Sequence, residues 1–338
     1  MYSYLDYFKL LTFKKIWNLL KVEASMVLSS LLKKPVVRGV PYTISIESTC
    51  LCNLKCPECP TGSGMIKREK KNLDLLIYQK FIDEIKTTTL HLLLYFQGEP
   101  FVNRDIFDMI KYASERKIFT VISTNGQFLD TEMNKKIIQS GLNRLIISVD
   151  GTDQVTFEKY RVGGDLNRIL EGTKDLNALK KISKKRIPEI IFQFLVFRHN
   201  EKQVSSIKRL GKISGADRIW IKSAQIINLD EAEDIIPLNP DYSRYFFDDK
   251  GDIKIKSRLK NQCKRLWRTC VVTTDGYILP CCFDKEAKYK MANLKGKELS
   301  EIWKNESYMK FRNDVLNIRR GIEICNNCTE GLKVYLKK

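Results

Sequence analysis

Histidine is almost missing from this chain, with two in 338 residues. Neither His91 nor His199 sits at a motif that demands one, so no general base is assigned. Long apolar runs are missing too. No stretch approaches eighteen consecutive apolar residues, and no membrane-spanning helix is expected. The amino terminus lacks the basic, apolar and small-residue order of a signal peptide, which points to the cytoplasm. Acid is in deficit: 59 Lys and Arg face 40 Asp and Glu, a formal net charge of +19. An anionic partner or surface must therefore be considered. No basic motif interleaved with aromatics accompanies that charge, which argues against nucleic acid. Runs such as Lys180 to Arg186 read more simply as solvated surface.

Cysteine is plentiful, with ten residues. In a small secreted protein that number would suggest disulfides, but in a chain of this length they form two groups with metal-type spacing. The first is Cys52-Asn53-Leu54-Lys55-Cys56-Pro57-Glu58-Cys59. Three thiolates can hold three corners of a 4Fe–4S cluster and leave the fourth iron open, whereas zinc would normally want its fourth ligand nearby. The preceding run, Tyr42 to Glu47, alternates and is β-branched like a short strand. The cysteines then lie on the loop leaving its carboxyl end, where α/β barrels carry their chemistry.

A triplet so placed resembles the signature of the radical S-adenosylmethionine (SAM) superfamily. The resemblance implies that the open iron chelates SAM and that one electron cleaves it to a 5′-deoxyadenosyl radical, which abstracts a substrate hydrogen. After the strand-like His91 to Phe96, Gln97-Gly98-Glu99-Pro100 resembles the family's Gly-Gly-Glu-Pro motif, which receives the SAM ammonium. Gln97 replaces the first glycine and leaves Gly98, Glu99 and Pro100 in place. Ser123 and Asn125 end a third strand-like run, and Ser148 and Asp150 end a fourth. Small polar residues at strand ends suit a ribose and adenine pocket. Taken singly, Asn125-Gly126 and Asp150-Gly151 are ordinary turn signals. Arg161 is a candidate partner for the SAM carboxylate, with a solvated helix-start arginine as the alternative. Glu58 stands where the family often has an aromatic residue beside the adenine.

Runs from Glu189 to Phe197 and Arg218 to Lys222 bring the count to six βα units. That is an α/β fold with a parallel sheet, an open partial (β/α)6 TIM-like barrel with a lateral mouth. Alternation around Gln193 is too weak to assign it a face. The expected organisation is an amphipathic basic helical segment over 1–40, the barrel over 41–235 and a small Fe–S domain over 236–338. In the first segment, Phe8, Leu11, Ile16, Trp17, Leu20 and Val27 mix with Lys9, Lys14, Lys15 and Lys21. Such a helix either packs on the outside or floor of the barrel or brings residues 1–34 to anionic lipid.

The second group is Cys263, Cys270, Cys281, Cys282, Cys325 and Cys328. It resembles the SPASM and shortened "twitch" extensions of radical SAM enzymes, which implies an auxiliary 4Fe–4S cluster on Cys263, Cys281, Cys325 and Cys328. An Asp275-Gly276 hairpin between Val271 and Leu279 would bring Cys263 and Cys281 together. On a strand Cys281 and Cys282 would face opposite sides, and the spacing from Gly276 favours Cys281. Cys50 and Cys270 read as buried thiols, and too few cysteines remain for a second auxiliary cluster. Four thiolates would close a structural zinc site equally well.

These readings imply an enzyme that oxidises or cross-links its substrate and passes the electron to the auxiliary cluster. The substrate would be a peptide, a protein or a small hydroxylated metabolite, and the electron donor a flavodoxin or ferredoxin, under oxygen-poor conditions. No separate peptide-recognition domain is evident. The competing reading is a non-catalytic zinc- or nucleic-acid-binding protein. Asp284 is a weak catalytic candidate, and a turn carboxylate is its plainer role.

Overall fold

The computed structural model describes residues 9–227, 229, 232–328 and 332; Phe8 lies outside them. The chain enters through helix α1, Phe13–Leu32, capped by the Thr12 side chain. Six strands follow: β1 Thr43–Ile46, β2 His91–Leu93, β3 Phe119–Thr124, β4 Arg144–Ser148, β5 Glu189–Val196 and β6 Arg218–Ser223. They pair in that order, all parallel. Between them run α2 Leu75–Ile85, α3 Ile106–Glu115, α4 Thr131–Gln139, α5 Gln154–Tyr160, α6 Leu166–Ile182 and α7 Val204–Ile213. Asp74, Asp130, Asp153 and Asp165 cap α2, α4, α5 and α6 by accepting backbone amides, each cap contributing about 1 kcal/mol. The fold is the expected α/β partial barrel.

Register assigns each side chain a face, because side chains alternate along a strand and paired residues share a side. Ser45, Leu93 and Val121 form one row, Ser123 pairs with Ile146, and Ser148 pairs with Gln193 and through it Trp220. This is the lumen face. Gln193 thus points inward, and its Oε1 accepts from Lys222 Nζ at 2.5 Å. The other face carries Ile44, Leu92, Ile122, Ile147 and Phe192 into the helix-side core.

Beyond β6 the chain forms a separate hairpin, β7 Tyr245–Phe247 and β8 Ile253–Ile255, and then a short helix, α8 Arg265–Arg268. The hairpin expected around Asp275-Gly276 is β9 Thr269–Val272 and β10 Tyr277–Leu279, followed by β11 Ala292–Asn293. It does not stand alone. Strand β9 pairs in parallel with β1 and extends the barrel sheet to nine strands. Cys270 is the partner of Ile44, so it faces the helix-side core, fully buried. The last helices are α9 Leu299–Ile302, α10 Glu306–Ile318 and α11 Glu323–Asn326. Leu299, Ile302 and Trp303 are buried together in the main core.

Helix α1 lies at the amino ends of the strands. Lys15 Nζ reaches the carbonyl of Lys117, just before β3, and Asn18 Nδ2 that of Thr88, just before β2. His91 is half-buried beside it, edge-on to Phe119 at 5.4 Å between ring centroids. No helix among the described residues is long and apolar enough to cross a membrane.

Candidate functional site

Strand β1 delivers the chain into the cysteine loop at the carboxyl end of the sheet. Cys52, Cys56 and Cys59 line a cavity of about 140 Å³ together with Gly98, Glu99, Ser123, Asn125, Ser148 and Arg161. Backbone crowding explains two glycines. A Cβ on Gly62 would stand 2.6 Å from the Cys56 nitrogen, and one on Gly98, at φ +74°, 2.5 Å from the Thr49 carbonyl oxygen. Gln97 has a role of its own: its Oε1 accepts from Thr61 Oγ1 at 3.1 Å, tying the strand end to the cysteine loop. Glu58 Oε2 accepts from the Ile227 amide at 2.6 Å and ties the loop to the segment after β6.

Pro100 and Asp150 stand behind the cavity rather than in its lining. Pro100 starts a 3-10 turn capped by Glu99. Asp150 is buried and accepts from Arg161 Nε and the Leu195 amide, both at 2.6 Å. Arg161 is therefore not a solvated arginine. Its guanidinium also lies 3.8 Å from Cys56 Sγ. Burial works against its charge, but Asp150 and Cys56 together hold it above the usual arginine range. Glu99 accepts from Thr124 Oγ1 and the Asn125 amide at 2.7 Å and the Phe101 amide at 3.2 Å. Burial pushes its carboxyl up to about 7 in spite of these donors. Burial also pushes the Cys52 thiol up to about 11, with Glu99, Cys59 and Cys56 adding to the effect. The three sulfurs thus share one electrostatic environment.

The second cysteine group converges from distant segments. Arg319, just after α10 and 2% exposed, is its hub. It donates to the carbonyls of Lys260 and Gln262 and to Cys328 Sγ at 3.4 Å. Burial opposes its charge, but Cys263, Cys328 and Cys325 raise its affinity for the proton. Cys281 lies beside Cys282 and feels Cys263. The pair does not lie on a strand as anticipated: β10 stops at Leu279, and Pro280, which has no amide to donate to a ladder, leads both cysteines into a turn closed by Asp284 N to Cys281 O. Cys282 packs with Val271 and Leu279 on the lumen face and accepts from Arg265 at 3.3 Å. The bond from Cys281 and the Arg265 charge lower its proton affinity against the effect of burial. Asp284 is buried, and its oxygens accept the Lys288 and Tyr289 amides at 2.8 Å.

All ten cysteines are free of disulfides. Among the described residues no three His, Cys, Asp or Glu side chains stand close enough to share one metal ion. The triplet is spread around its cavity instead, and a cubic cluster, whose ligands sit at separate corners, fits that spread. Residues 46–210 match the radical SAM superfamily model, and residues 263–329 match SPASM, an iron-sulfur cluster-binding domain. The chain carries a radical SAM domain followed by a SPASM domain. It is an enzyme, and the non-catalytic alternative falls away. Radical SAM domains bind a 4Fe–4S cluster and SAM, and SPASM domains bind auxiliary Fe–S clusters.

The AdoMet-dependent heme synthase of Methanosarcina barkeri is 24% identical over 325 residues, covering 85% of this chain and 89% of the relative. Among solved structures, SuiB of Streptococcus suis bound to precursor peptide SuiA superposes with a TM-score of 0.63 at 16% identity, covering 94% of this chain and 76% of SuiB. BtrN in complex with AdoMet and 2-DOIA gives 0.54 at 17% identity, covering 87% and 95%. These two likenesses establish the fold. Sequence reading missed Arg319, Arg265 and Glu47. Glu47, just after β1 and fully buried, pairs with Arg68 and accepts the Thr274 amide at 3.0 Å. An acidic residue closing an apolar strand was its only signal.

Proposed function

We propose that this enzyme carries out a net two-electron oxidation or cross-link on a peptide or small hydroxylated metabolite, with the second cysteine group as electron acceptor. The observation that supports it is the contrast between the groups: three cysteines around a cavity, and Cys263, Cys325 and Cys328 set around the buried Arg319 guanidinium with Cys281 near Cys263. In this reading Cys52, Cys56 and Cys59 hold the SAM-binding cluster. Glu99 and Gly98 take the SAM ammonium, Arg161, with Asp150 and Pro100 bracing the wall, takes the carboxylate, and Ser123, Asn125 and Ser148 take the ribose and adenine. A cluster bound there would supply the electron for reductive cleavage of SAM, the source of the radical that takes a substrate hydrogen atom.

Cys263, Cys281, Cys325 and Cys328 hold one auxiliary cluster. A cluster closed by these four thiolates would supply redox chemistry, taking up the substrate's second electron as a proton leaves. Asp284 serves here as a turn carboxylate, its oxygens accepting the Lys288 and Tyr289 amides. A flavodoxin or ferredoxin supplies the first electron.

Replacing Cys52, Cys56 and Cys59 by Ala tests the division. The anaerobically purified variant should lose deoxyadenosine formation, keep about half its iron and retain a 4Fe–4S signal. Surviving cleavage would overturn the first assignment, and zinc in place of that signal the second. Cys281→Ala should still cleave SAM with a strong chemical reductant while forming no product lighter by two hydrogens.

A further inference from the structure

Helix α1 is turned inside out. At helical spacing Phe13, Trp17, Leu20, Val27 and Leu31 fall on one stripe, and that stripe faces away from the protein. Phe13 is 80%, Trp17 52% and Leu31 74% exposed. The face against the barrel carries a single apolar residue, Val22, among Lys15, Asn18, Ser25 and Ser29, all buried. These polar groups are engaged. Lys15 donates to the Lys117 carbonyl, Asn18 donates to and accepts from Val40, Ser25 accepts the Arg38 amide and Ser29 the Val36 amide. Rolling the helix to bury its apolar stripe would break all of them. A surface helix ordinarily points its apolar stripe at the core. A contiguous apolar stripe left outside marks contact with something apolar.

Charge indicates what that is. Lys14 and Lys21 flank the stripe, and Lys33 and Lys34 follow its end, on a chain of net charge +19. Lys21 Nζ lies 5.5 Å from the Trp17 ring. The acid of this helix, Glu23, is engaged with Tyr42 and Arg268. A second copy docked on this face by a two-fold axis would set lysine against lysine, and the cores of protein interfaces are poor in lysine. A bilayer with anionic headgroups accommodates both features, apolar side chains at the acyl boundary and lysines among the phosphates.

We infer that α1 lies on an anionic membrane surface, inserting Phe13, Trp17, Leu20, Val27 and Leu31 with Lys14 and Lys21 at the headgroups. Because α1 sits at the amino ends of the strands, the cavity at their carboxyl ends faces away from the lipid. This inference does not depend on the proposed reaction. The test is flotation of the full-length, cluster-loaded chain with vesicles of equal parts phosphatidylglycerol and phosphatidylcholine. Binding should fall by about tenfold or more on pure phosphatidylcholine, in high salt, or in the Phe13→Ser, Trp17→Ser, Leu31→Ser variant. Those side chains are mainly exposed, so reductant-driven deoxyadenosine formation should persist in that variant. Lys14→Glu with Lys21→Glu should give a smaller loss. Absence of wild-type binding, or equal binding by the triple serine variant, would overturn the inference. So would a dimer that is lost in that variant without any vesicle binding, which would identify a second copy as the occupant.

Discussion

The two cysteine sites use the same side chain and are built in opposite ways. The first takes its three cysteines from one loop, residues 52–59, and the fold supplies only the wall around them, Glu99 from the end of β2 and Arg161 pinned by Asp150. The second draws on three separate segments, setting Cys263, Cys325 and Cys328 about Arg319 and Cys281 near Cys263. A site made by one loop needs tertiary structure for its cavity; a site made by three segments needs it even to exist. The seam between them is Glu47, which binds Arg68, beyond the cysteine loop, and the Thr274 amide of the β9–β10 turn.

Breaking that seam should have the largest effect. Arg68→Met leaves the Glu47 carboxylate, 0% exposed, without its cation, and an uncompensated buried charge costs about 3–5 kcal/mol. Chemical denaturation of the anaerobic protein should register a loss of that size. A loss under about 1 kcal/mol would fit an exposed pair instead and would uncouple the two regions.

Next comes the wall of the first site. Glu99→Gln should weaken SAM binding by about tenfold or more with iron content unchanged, since leaving a buried cation without its partner costs roughly 2–5 kcal/mol. Glu99 already accepts three donors from the protein. Unchanged affinity would mean that it only ties β2 to β3.

The smallest effect is expected at the second site. Arg319→Met removes a buried positive charge and a hydrogen bond to Cys328, both of which favour the reduced cluster. In the background lacking Cys52, Cys56 and Cys59, a redox titration should find the midpoint more negative by about 60 mV, a tenfold change for one electron. Intact iron with an unmoved potential would leave Arg319 a structural role alone.

Much of the first site was legible because its three cysteines fall within one loop, where spacing is a local property of the sequence. The six βα units were legible too, since strands covered on both faces read as apolar, β-branched runs. The second site was legible only as a list of cysteines. Cys281 and Cys282 would face opposite sides only on a strand, and β10 stops at Leu279 before reaching them. The face of Gln193 became definite only when register paired it with Ser148. Gln97, a departure from the glycine motif, made sense once Thr61 was found beside it.

Helix α1 draws the line most sharply. Its sequence alone determined that one face is apolar and the other polar, because side-chain spacing is a local property of the chain. Which face turns inward was decided by the backbone groups that Asn18, Ser25 and Ser29 met at Val40, Arg38 and Val36. Buried amides and carbonyls must find partners, and those partners come from the connection into β1, which the helical period does not describe. The docking of β9 on β1 and the gathering of cysteines around Arg319 were decided in the same way. Each joins residues far apart in sequence, which only the folded chain brings into contact.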